Sequence, residues 1–201
     1  MIRSLQWNAS VARLAVAAAV LALGAAPAAA QSKPFKITGV GVAPDGLPLP
    51  GQPARENWIA GTATHLGRHT GAGTTAVDLG TLVPGPNGTL VGEFGTGPGG
   101  FVFAGANGDK LAVSYGRTAL WAAAPGSFTL TVVDFTGAGD PIVVAAFVAE
   151  FVVDPVASTG RFAGVTGSWV MDAWSEPFVP GATDPFLYGW EGKGRLTFPK
   201  R

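Results

Sequence analysis

The sequence contains no cysteine, which excludes a disulfide-built scaffold, a thiolate metal site and a cysteine nucleophile. Charge is scarce: charged residues make up 13% of the chain and cancel at 13 basic against 13 acidic, which excludes a broadly basic nucleic-acid binder and names no partner. The Gly-Lys-Ser/Thr ending of a phosphate loop, His-Glu-x-x-His and Gly-x-Ser-x-Gly are all missing, and with them three common catalytic signatures. Two fragments fit dinucleotide patterns in letters, Gly71-Ala-Gly-Thr-Thr-Ala76 and Gly95-Thr-Gly-Pro-Gly-Gly100. Neither opens a helix, so nothing would receive a pyrophosphate, and no cofactor is implied.

Residues 1–30 read as an export signal. A positive start (Arg3, Arg13) leads into the apolar run Leu14 to Ala26 and then Ala28-Ala29-Ala30, which predicts cleavage after Ala30. The run is too short for a permanent membrane helix, and no later stretch is longer, so no integral membrane segment is expected. The expectation is a secreted or periplasmic protein whose residues 31–201 form one domain. That mature chain carries 44 Gly or Pro among 171 residues, yet its 19 aromatics and many Val and Thr predict a packed fold.

Nearly every apolar stretch is short, rich in β-branched or aromatic residues, and closed by Gly, Pro, Asn or Asp. This predicts strands at about Phe35–Val42, Asn57–Thr70, Thr74–Val83, Thr89–Phe94, Gly100–Ala104, Lys110–Thr118, Ser127–Phe135, Ile142–Val153, Ser168–Trp174 and Tyr188–Phe198. Pro84-Gly85-Pro86-Asn87-Gly88, Asn107-Gly108 (a type I′ signature) and Thr136 to Asp140 predict tight antiparallel connections. The prolyl segments Ala43 to Pro53 and Pro177 to Pro185 read as surface loops or flaps over a mouth. An all-β antiparallel meander of about eight to ten strands follows, and closure into a barrel removes its edges; a two-sheet sandwich is the rival.

Three stretches carry a resemblance: Gly61-Thr-Ala-Thr-His-Leu-Gly-Arg-His-Thr70, Phe103-Ala-Gly-Ala-Asn-Gly-Asp109 and Ser158-Thr-Gly-Arg-Phe-Ala-Gly-Val-Thr-Gly-Ser168. Together they resemble a group of uncharacterised exported bacterial proteins, which the resemblance gives a barrel like that of allene oxide cyclases and dirigent proteins. It covers most of residues 55–198 and implies fold rather than activity, and no catalytic residue of the plant families carries across. Ser158 and Val165 depart mildly from the late motif, which is glycine and alanine there. The local reading of that motif is structural, with Phe162 plugging a barrel end.

His65 and His69 are the only histidines. On one strand they would lie on the same side about 13 Å apart, too far for one metal ion, so no metal site is predicted and His65 is expected in the barrel wall. Glu93, Asp134, Glu150 and Asp172 are the strand carboxylates to inspect, with Tyr115 and Arg117 as partners. Trp58, Trp121, Trp169, Trp174 and Trp190 would fill the core or line a cavity. From these, His65, Trp58, Tyr115, Arg117, Glu150 and Trp169 are the candidate ligand-binding residues. In Ile142–Val153 alternation sets Phe147, Phe151 and Val153 opposite Val148, Glu150 and Val152, and solvent is the favoured environment of Glu150.

Two functional readings follow. The first is a non-catalytic binding or structural module of the cell envelope, holding a small apolar ligand. Its alternative is a cyclase- or dirigent-like enzyme or chiral template for a small hydrophobic substrate. Assembly into homo-oligomers through an apolar outer face, with Val148 and Val152 exposed beside Glu150, is a third.

Overall fold

The computed structural model describes residues 30–47, 55–75, 77–94, 100–115 and 126–200. Their regular structure is strand, apart from two single-turn 3-10 segments at Pro86–Gly88 and Gly160–Phe162, joined by turns and irregular segments. Among the described residues no helix is long and apolar enough to cross a membrane.

Eleven strands follow one another: β1 (Gln31–Ala43), β2 (Arg55–Ala63), β3 (Gly67–Thr75), β4 (Val77–Pro84), β5 (Leu90–Phe94), β6 (Gly100–Gly105), β7 (Lys110–Ser114), β8 (Ser127–Phe135), β9 (Pro141–Val153), β10 (Thr166–Ser175) and β11 (Phe186–Phe198). Eight close into an antiparallel barrel in the order β10-β11-β1-β2-β3-β6-β7-β9, because β9 also pairs with β10. The other three, β8, β5 and β4, extend it from the outer reach of β9. The β7–β9 seam is the shortest, with only Val113↔Val153 and Ser114↔Val152.

The expected single strand Asn57–Thr70 is two strands. The chain turns at Thr64–Leu66, where His65 takes a φ of 68° and Gly67 a φ of 75°, and Ala63 pairs with Gly67. Alternation alone misses this, because the turn residues Thr, His and Leu look like strand. A second correction concerns the tight turns. Asn107 has no positive φ and Gly108 alone does, whereas Asn87 and Gly88 take φ values of 57° and 75°. The two left-handed residues of a type I′ turn therefore belong to the β4–β5 connection, closed by the Thr89 amide donating to Pro86 O at 3.2 Å. In the predicted strand Lys110–Thr118, residues 116–118 lie outside the described ones.

Strand alternation sorts the barrel cleanly. Phe35, Ile37 and Ala43 of β1, Asn57 and Ile59 of β2, Trp169 and Ala173 of β10, and Phe186, Trp190 and Leu196 of β11 point inward and are buried. On β9 the inward set is Val143, Ala145, Phe147, Ala149 and Phe151. The glycines between them make room for rings: a Cβ on Gly41 would run into the Tyr188 ring and one on Gly39 into the Trp190 ring. Large aromatics on β11 thus lie flat against β1, which a side chain at either glycine would prevent.

Candidate functional site

The three resemblance motifs meet at one end of the barrel. Asp109 accepts the backbone amide of Arg161 at 3.1 Å and pairs with its guanidinium, and Arg161 Nη1 donates to His65 O at 2.9 Å. The Arg161 hydrogen bond holds the Asp109 carboxyl below the usual carboxylate range. Ser158 extends the short seam: its hydroxyl accepts the Ala112 amide at 3.0 Å, and Thr159 pairs with Lys110. Beneath this clasp Phe162 and Val165 are fully buried, with Phe162 6.0 Å from Phe198 between ring centres. The motifs that stand out in the sequence therefore build the closed end.

The opposite end is where the lumen opens. Segments 44–47 and 176–185 meet over it: Gly181 donates to Leu47 O at 3.2 Å, and Phe178 stacks on Phe186 at 4.2 Å. Arg55 ties both together by donating to Asp45 O and to Ala182 O. Under them lies a cavity of about 50 Å³ with walls that include Leu47, Phe94, Phe101, Phe147, Met171 and Phe186. A second void of about 30 Å³ lies among Ile59, Phe103, Phe151 and Trp190. Phe101, Met171 and Tyr188 border both, so these three side chains form the partition between them. Each void is well below the roughly 150 Å³ of a core cavity that admits benzene. Merged, the two would hold about 80 Å³, so a ligand must move the partition and displace further lining side chains as well.

The polar groups on the upper cavity are few. Asn57 is buried and donates to Thr75 Oγ1 at 3.0 Å and Arg55 O at 3.2 Å. The Tyr115 hydroxyl donates to Thr74 O at 2.9 Å. Among the described residues the Tyr188 hydroxyl has no hydrogen-bond partner; burial, with a smaller contribution from Tyr115, pushes its phenol pKa up, so it stays a protonated donor. Deeper in the barrel His69 is 4% exposed, enclosed by Phe103 and Trp190 at 5.3 and 5.9 Å between ring centres, with neither ring nitrogen hydrogen-bonded among the described residues. Burial lowers its pKa to about 4, so the ring is neutral at pH 7. The indole Nε1 atoms of Trp169 and Trp190 are likewise buried and without a hydrogen-bond partner among the described residues.

Of the sequence candidates, Tyr115 borders the cavity and Trp169 is buried in the barrel, stacked on Phe151 at 5.7 Å. Trp58 points outward and is 53% exposed. His65 sits in the β2–β3 turn with its ring against Phe198, and it is His69 that faces the lumen; the ladder geometry that would set them 13 Å apart does not arise. Glu150 lies on the outer side of β9, beside the exposed Val148, while Val152 is buried rather than exposed. Arg117 and Trp121 lie outside the described residues. Glu93, Asp134 and Asp172 also fall on outward positions of their strands. Among the described residues no three His, Asp or Glu side chains gather in a metal-binding group.

Sequence reasoning passed over Arg55, Asn57, His69 and Tyr188. A period-two signal was present, since Arg55, Asn57 and Ile59 share a face, as do Phe186, Tyr188 and Trp190. Comparison with known proteins finds no matching family, curated protein or solved structure.

Proposed function

We propose that the protein is an exported binding module that takes a small, mostly apolar molecule into its lumen past Arg55. The observation that carries this is the cavity under segments 44–47 and 176–185, apolar over most of its wall and bordered by Asn57, Tyr115 and Tyr188. A few polar groups in an apolar recess fix a ligand's orientation while hydrophobic burial supplies affinity. No described carboxylate faces this space, and the one interior imidazole is neutral, which favours holding a ligand over acid–base work on it. Export with cleavage after Ala30 is part of this proposal, and such a cut would leave β1 whole from Gln31. A relation to allene oxide cyclase- and dirigent-like barrels is part of this proposal and rests on the three sequence motifs alone.

Titration with N-phenyl-1-naphthylamine, a neutral probe whose emission rises in apolar surroundings, tests the binding reading. Emission should rise with the wild type and with Glu150→Gln on the outer face, and stay flat with Ala173→Phe, which fills the cavity. Circular dichroism of Ala173→Phe verifies that the barrel is intact. Equal signals from the wild type and a folded Ala173→Phe would place the probe elsewhere and defeat the proposal.

A further inference from the structure

The polar side-chain atoms inside the barrel that have no partner among the described residues are unequal in kind. Trp169 Nε1 and Trp190 Nε1 can only donate, the Tyr188 hydroxyl is a donor with spare acceptor capacity, and neutral His69 offers one of each. The lumen therefore carries a surplus of donors. A buried donor left without a partner is costly, and an incoming acceptor removes that cost without adding a charge to the apolar interior. Tyr188 is placed to use this first: it borders both voids, so a ligand merging them passes its side chain, whose ring and hydroxyl lie against the bare backbone of Gly41.

Resting on the lumen-binding reading, we propose that the ligand is an apolar molecule whose polar atoms are hydrogen-bond acceptors only, of the ketone, quinone or ether class, and that the Tyr188 hydroxyl donates to it. A ligand bearing hydroxyls or amides would bring further donors to a space already short of acceptors. Trp190 and His69, beyond the partition, define how far an extended acceptor-bearing ligand could reach. The role of Tyr188 is to bind and orient; no bond is made or broken.

Two probe pairs of matched skeleton test this: indane with 1-indanone, and diphenylmethane with benzophenone. Each is titrated calorimetrically into the wild type and Tyr188→Phe, which removes one hydroxyl and keeps the ring. The ketone-to-hydrocarbon affinity ratio should fall about tenfold in Tyr188→Phe, the effect of one satisfied donor. The hydrocarbon's own affinity should hold within about twofold. If both members of a pair bind and the ratio is the same in the two proteins, the acceptor assignment is wrong while lumen binding stands. If no probe binds the wild type up to its solubility limit, lumen binding is wrong and the assignment falls with it.

Discussion

His69 offers the most direct physical test of the interior. In the unfolded chain its imidazole titrates near the ordinary 6.5, whereas burial between Phe103 and Trp190 lowers the folded value to about 4. Below pH 6.5 the unfolded chain takes up a proton that the folded chain refuses, so stability falls as the pH falls. The loss continues to about pH 4, where the folded ring protonates as well, and then levels off. A difference of about 2.5 pK units corresponds to about 3 kcal/mol in total, accumulating at close to 1.4 kcal/mol per pH unit through the middle of the range. His69→Leu removes this contribution, and because it also removes two unpartnered nitrogens its stability at pH 7.5 should lie within about 1.5 kcal/mol of the wild type. Urea unfolding of both proteins at pH 7.5, 6.5, 5.5 and 4.5 gives the comparison. Contributions common to the two proteins cancel in the difference. The wild type should lose about 2–3 kcal/mol relative to His69→Leu between the first and last pH; parallel curves would mean that His69 is hydrated or hydrogen-bonded and that its apolar enclosure by Phe103 and Trp190 is wrong.

Three further outcomes concern the closed end. Phe162→Ala should cost about 3–5 kcal/mol in urea unfolding, since the ring is fully buried at the barrel floor, and a cost below 1 kcal/mol would show that the plug is not part of the core. Gly160→Ala should cost about 1–3 kcal/mol, because Gly160 has a φ of 63° and a Cβ there would collide with Asp109 Oδ1; an unchanged midpoint would contradict that contact. Asp109 has its pKa lowered chiefly by the Arg161 hydrogen bond, so its contribution is present above the ordinary carboxylate pKa and lost as acid protonates it below that range. Asp109→Asn should therefore narrow the gap to wild type as pH drops from 5 to 2, and a gap independent of pH would remove the charge from the explanation.

The sequence by itself determined the class of fold. Short β-branched and aromatic stretches punctuated by Gly, Pro and Asn are a local property, so strand positions such as Ser127–Phe135, and the side on which Glu150 falls, could be read without tertiary information. It also singled out the late motif and the structural role of Phe162, since a dense run of glycines marks backbone that must turn. What the tertiary structure decided was which end of the barrel is open and which side chains share the lumen. His65 and His69 differ by four positions, yet one lies in a turn and the other in the interior, because His65 adopts a left-handed conformation that nothing in Thr-His-Leu announces. Arg55 of β2, Tyr115 just after β7 and Tyr188 of β11 are distant in the chain and meet only because closure brings these strands around one space. Pairing between remote segments depends on register, and register is a property of the whole ring rather than of any stretch within it.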